Sequence, residues 1–162
     1  MIRDTVTHTN KKTGKEFLNM DEQTRLLLEE CSSGCKMAVN SLEQTSEFIK
    51  DSELLKLIEN YTEKHRQLEA EAVTLLNDSG NEDKEPGAMA STFAWFTTEM
   101  KLTFDSSNSQ IAKLLIDGCN MGIKTLGEKA NELKEADKKA LDLTRKIIQA
   151  EDELMKKLRE YL

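Results

Sequence analysis

Two thiols, an imidazole and a carboxylate recur in this sequence at spacings that bring them level. The segment Ser32-Ser33-Gly34-Cys35-Lys36-Met37-Ala38-Val39-Asn40-Ser41-Leu42 returns 84 residues later as Ile116-Asp117-Gly118-Cys119-Asn120-Met121-Gly122-Ile123-Lys124-Thr125-Leu126, with glycine, cysteine, methionine and leucine in register. Each copy is followed by a second amphipathic segment. Aligning these followers with a two-residue insertion in the second loop sets Leu57 on Leu143, Tyr61 on Ile147, Leu68 on Leu154 and His65 on Glu151. In an antiparallel helical hairpin, residues equally far from the loop share a level. Cys35 lies 16 residues before Asp51 and His65 lies 14 after it; Cys119 lies 17 before Ala136 and Glu151 lies 15 after it. Each cysteine is therefore level with its polar partner to within about one turn, roughly 5 Å. Four potential ligands, Cys35, His65, Cys119 and Glu151, are expected to converge, and these side-chain types bind soft and borderline metals such as zinc.

The elements that must position them follow from apolar spacing. Helix 1, from Asp21 as N-cap to about Ile49, carries Leu28, Cys31, Cys35, Val39 and Leu42 in steps of three and four. Helix 2, from about 53 to 76, carries Leu54, Ile58, Tyr61, His65, Leu68, Ala72 and Leu75. Asn77 to Gly87 is rich in turn residues and holds the one proline, Pro86. A shorter helix over 88–104 presents Met89, Phe93, Phe96 and Met100 and serves as a crossover. Helix 3 runs to about Lys134 through Ile111, Leu115, Cys119, Ile123, Leu126 and Ala130. Helix 4, capped by Asp137, carries Ala140, Thr144, Ile147, Glu151, Leu154 and Leu158. The expected organisation is a flexible tail over 1–20 and one bundle over 21–162, with hairpin 1 at about 21–77, linker and crossover at 78–105 and hairpin 2 at about 106–162.

Composition narrows the class. A chain of 162 residues fits a single domain able to bury its own core, and 5% aromatics with a single proline favour long helices, so the reading is all-α. A net charge of -7 argues against nucleic acid and anionic membranes as partners. The polar start of the chain, with no long apolar run, reads as neither a secretory signal nor a membrane span, which points to the cytoplasm. Three cysteines, Cys31, Cys35 and Cys119, sit within apolar helical patterns, as reduced buried thiols do.

The segments GAMASTFAWFTTEMKLTF (87–104) and DGCNMGIKTL (117–126) resemble an uncharacterised bacterial family of ferritin-like four-helix bundles, a resemblance that covers about residues 22–162. Ferritin-like proteins join two helical hairpins by a long crossover and hold a di-iron centre with a glutamate on helices 1 and 3 and a Glu-x-x-His motif on helices 2 and 4. Carried over, the resemblance puts the first pair of glutamates on Cys35 and Cys119 and the histidines on His65 and Glu151. The remaining glutamates fall on Thr62 and Ile148. The implied di-iron set is thus degenerate. What is left, Cys35, His65, Cys119 and Glu151, suits one tetrahedral zinc or iron ion, with Glu69 as an additional carboxylate or an orienting partner for His65. Without metal, two opposed cysteines within about 7 Å would be able to form a disulfide.

Plainer readings stand beside this one. Each cysteine alone reads first as a small core hydrophobe, and a lone histidine as a satisfied core residue. The alternatives are a metal-free structural or interaction bundle that dimerises through 93–104, and a thiol redox protein. No phosphate loop, nucleophile elbow or His-Glu-x-x-His motif occurs, so no catalytic residue is assigned.

Overall fold

The apolar stripes at three-and-four spacing fold as helices throughout the part of the chain that the computed structural model describes, residues 20–80 and 107–162. Among the described residues there are four α-helices and no strand: α1 (Met20–Ser46), α2 (Ser52–Asp78), α3 (Asn108–Glu132) and α4 (Lys138–Leu158), followed by a 3-10 turn, Arg159–Tyr161. This is an all-α, four-helix bundle. Of the expected tail over 1–20 only Met20 is described, and it belongs to α1; the rest of that tail, the crossover helix over 88–104 and the dimer segment over 93–104 lie outside the described residues.

Helix ends follow local chemistry. The α1 helix already includes Met20, so Asp21 is not its N-cap but an acidic residue in the first turn, where it favours the helix dipole. Its end at Ser46 precedes the expected Ile49, because Phe48 and Ile49 donate their N–H groups to Thr45 and Ser46 in a closing turn, at 3.0 and 3.2 Å. Asp51 caps α2 by accepting from the Glu53 and Leu54 N–H groups at 3.0 and 2.9 Å. Gly80, at φ 77°, supplies the left-handed residue just beyond α2. Asp137 precedes α4, yet its side chain makes no cap bond; instead its N–H donates to the Thr24 hydroxyl at 2.7 Å.

These contacts also fix topology. Asn108, which starts α3, donates to the Asp51 side chain at 3.2 Å, so α2 and α3 begin at the same end of the bundle. At the opposite end the α3–α4 turn meets α1, where Glu135 N–H donates to Gln23 at 3.1 Å. Hence α1 and α2 are antiparallel, α2 and α3 parallel, and α3 and α4 antiparallel. The 27-residue α2 is about 40 Å long, and its end and the start of α3 lie at opposite ends of the bundle.

The core has two halves. One, toward the α3–α4 turn, gathers Leu27, Leu28, Cys35, Leu68, Leu76 and Leu143 with their neighbours. The other, toward the Asp51 end, gathers Leu42, Leu54, Ile58, Leu115, Cys119 and Leu158. Each fully buried leucine contributes about 2 kcal/mol of transfer free energy, and the halves are separated by the polar layer described next. Among the described residues no helix is long and apolar enough to cross a membrane.

Candidate functional site

His65 lies on the core stripe of α2 and is completely buried. Its ring is held at both nitrogens. Nδ1 is 2.6 Å from the Tyr61 carbonyl one turn earlier, and Nε2 is 2.9 Å from Oε1 of Glu151 on α4. A carbonyl only accepts, so Nδ1 carries a hydrogen. The short contact on the other side also needs a proton, either on Nε2 or on the carboxyl, since two lone pairs would repel there. The pair therefore shares one proton and is neutral as a unit in either form. Burial works against a charged imidazole, but the hydrogen bond and charge of Glu151 and the Tyr61 carbonyl outweigh it, raising the His65 pKa above its ordinary value.

Cys119, one helix over on α3, completes the cluster. Its thiol is pushed up by burial, then by the charge of Glu151 and by a hydrogen bond to it, the pattern of an S–H donating to a carboxylate. Gly122, one turn on, lies beside the Glu151 carboxyl, where a Cβ would make ordinary contact at 3.7 Å. On the outside, Lys64 and Lys157 stand 5.3 and 5.8 Å from the Tyr61 ring centre, and Lys64 bridges to Glu153 on α4 at 2.8 Å.

Three of the four expected side chains thus meet: His65, Glu151 and Cys119. Cys35 does not join their hydrogen-bonded chain. It lies in the opposite half of the core, where burial and then the charges of Cys31, Glu151 and Glu69 raise its pKa. Glu69 is half-buried on the Cys35 side. Cys31 is pushed up to about 12 by burial and lies 3.2 Å from the Thr144 hydroxyl. That hydroxyl donates to the Ala140 carbonyl at 2.8 Å, so the thiol donates to it. All three cysteines are free and buried.

The donor set fits a metal poorly. Each His65 nitrogen has a protein partner and no buried side-chain nitrogen or oxygen among the described residues lacks one, so an ion would have to displace an existing hydrogen bond to reach the imidazole. Among the described residues no group of three or more His, Cys, Asp or Glu side chains is arranged to hold an ion. The Tyr61 carbonyl and the Cys31–Thr144 contact were not anticipated from the sequence. The first has no signal in residue types; the second had one, since Cys31 and Thr144 both lie on core stripes.

Comparison of the chain with family models, with curated proteins and with solved structures finds no match.

Proposed function

We propose that this chain is a non-catalytic bundle of the ferritin-like type, in which the position of a di-iron centre is taken by a proton-sharing His65–Glu151 pair. The observation that carries the reading is the hydrogen-bonded line from the Tyr61 carbonyl through both nitrogens of His65 to Glu151, with Cys119 lining the same cavity as the carboxyl. Such a layer joins α2, α3 and α4 in one register, and buried polar contacts of this kind serve structural specificity. The common starting end of α2 and α3 supports the ferritin-like arrangement, which needs a long crossover at that point. Three buried free thiols suit a reducing compartment such as the cytoplasm. In this reading the bundle acts through association, as a homodimer through 93–104. Sedimentation of Trp95→Ser/Phe96→Ser then reports a monomer where the parent is a dimer.

A second reading is favoured by one feature: Cys119, His65 and Glu151 line the same cavity and offer sulfur, nitrogen and oxygen to it. In that reading one zinc or ferrous ion is held by these three residues after the His65–Glu151 bond opens. Cobalt(II) titration separates the two. A thiolate charge-transfer band lost in Cys119→Ser but retained in Cys35→Ser supports the metal; no band and no change in melting temperature with cobalt or zinc supports the closed pair.

A further inference from the structure

The repeated motif has an unexplained property: it places glycines inside helices that have no packing need for them. A mid-helix glycine costs roughly 0.5–1 kcal/mol relative to alanine. Yet among the described residues a Cβ at Gly34 or Gly118 would meet nothing within 4 Å, and at Gly122 only ordinary contact at 3.7 Å. Close approach of the described helices therefore does not account for them. What they share is a cavity of about 70 Å³ between α1 and α3. Its walls are the two copies of the motif facing each other, Gly34, Met37 and Ala38 from the first and Gly118, Met121 and Gly122 from the second. Its floor is Glu151.

We infer that this cavity is a small-molecule site, kept open by the glycines of the repeat, for a neutral, largely aliphatic ligand that donates one hydrogen bond to Glu151. Apart from Ser41, His65 and Glu151 the lining is apolar, and the paired methionines can adapt to a ligand's outline. A carboxylate has about four lone-pair positions, of which the His65 hydrogen bond engages one. The remaining capacity accepts a donor. Because the proton shared with His65 already balances the carboxylate, a hydroxyl matches this floor better than an ammonium group. Size sets the scale. An engineered cavity of about 150 Å³ in another protein takes benzene, so a cavity half as large holds the head of a short alcohol while its tail reaches the opening between α1 and α3. The inference stands on the cavity and the glycines, and it survives even if the bundle proves not to be ferritin-like.

The test uses two isomers of equal size, 1-butanol and diethyl ether, titrated into the full-length protein while backbone amide shifts are followed by NMR. Saturable shifts centred on residues 34–38 and 118–122 are expected for 1-butanol. The ether, which cannot donate, is expected to bind about tenfold more weakly, as loss of a hydrogen bond to a charged group implies. Gly118→Leu fills the space and should abolish the saturable shifts without lowering the melting temperature. Gly127→Leu is the control, because it also projects into open space but away from the cavity, and should bind as the parent does. Absence of saturation with 1-butanol, equal binding of both isomers, or undiminished binding by Gly118→Leu would each overturn the inference.

Discussion

The His65–Glu151 pair makes a sharp prediction because its two halves should fail differently. In His65→Leu the carboxylate keeps only the Cys119 thiol in a site where its side chain is 10% exposed. Removing one partner of a buried ion pair costs about 3–5 kcal/mol. The middle of that range, about 4 kcal/mol, suits a carboxyl that keeps slight contact with solvent. In Glu151→Leu the imidazole becomes neutral at little cost, leaving Nε2 as a buried acceptor without a partner, worth about 1–3 kcal/mol. Replacing both by leucine removes both polar groups and should cost about 1 kcal/mol or less. The melting temperature of a chain this size moves by about 2–4 °C per kcal/mol, so His65→Leu should melt roughly 8–16 °C low and the double variant close to the parent. The pH dependence has a definite sign. A folded-state pKa raised above the unfolded value gives stability that is complete below about pH 6.5 and is lost as pH rises through the raised value. The parent's advantage over the double variant should shrink above that pH. Thermal melts of the four proteins from pH 5 to 9 decide it: additive single-site losses, or an advantage that grows with pH, would refute the reasoning.

Three further outcomes follow from the same structure. Gly34→Ala and Gly118→Ala should each raise stability by about 0.5–1 kcal/mol in denaturant titrations, because among the described residues the added methyl meets nothing within 4 Å; a loss at either site would show that the surroundings need the glycine. Native protein should leave Cys31, Cys35 and Cys119 unlabelled by a thiol reagent at pH 8 until it is unfolded, since burial raises all three; rapid labelling of any one would revive the thiol redox reading. Asp51→Ala should lower the melting temperature at neutral pH by removing the α2 cap and the bond to Asn108. Hydrogen bonds from the Leu54 N–H first, then from Asn108 and the Glu53 N–H, lower the Asp51 pKa. This contribution is present above the ordinary carboxylate range and is lost as pH falls through the lowered value, so the gap between parent and variant should close in acid.

The sequence carried most of the information on which residues face inward and less on which of them touch. Periodicity identified the stripes of α2 and α4, and the inserted-loop alignment set Glu151, not Gln149, opposite His65; in the structure Glu151 is buried and Gln149 exposed. Counting from the loops levels each cysteine within its own hairpin but does not set one hairpin against the other. The two hairpin loops lie at opposite ends, and Cys35 and Cys119 fall in different halves of the core, while Glu151 stays near enough to Cys35 for its charge to act on the thiol. Of the expected N-caps, Asp137 holds its position at the start of α4, though without a side-chain cap bond, whereas Asp21 lies inside α1. Residue type marks a capping candidate, but whether its side chain bonds the helix end depends on local geometry that residue type does not carry.

The meeting of His65 with Glu151 bears on how two similar halves recognise one another. The residues occupy equivalent places in the repeat, so a half that paired with its own copy would face histidine with histidine or glutamate with glutamate. Two carboxyls at this separation cannot both ionise, and two imidazoles sharing one proton would still hold a net positive charge in an apolar interior. Only the mixed pair is neutral when it shares one proton. Joining the halves in one chain lets equivalent positions become complementary, so the same contact that holds the bundle together also discriminates against association of either half with itself.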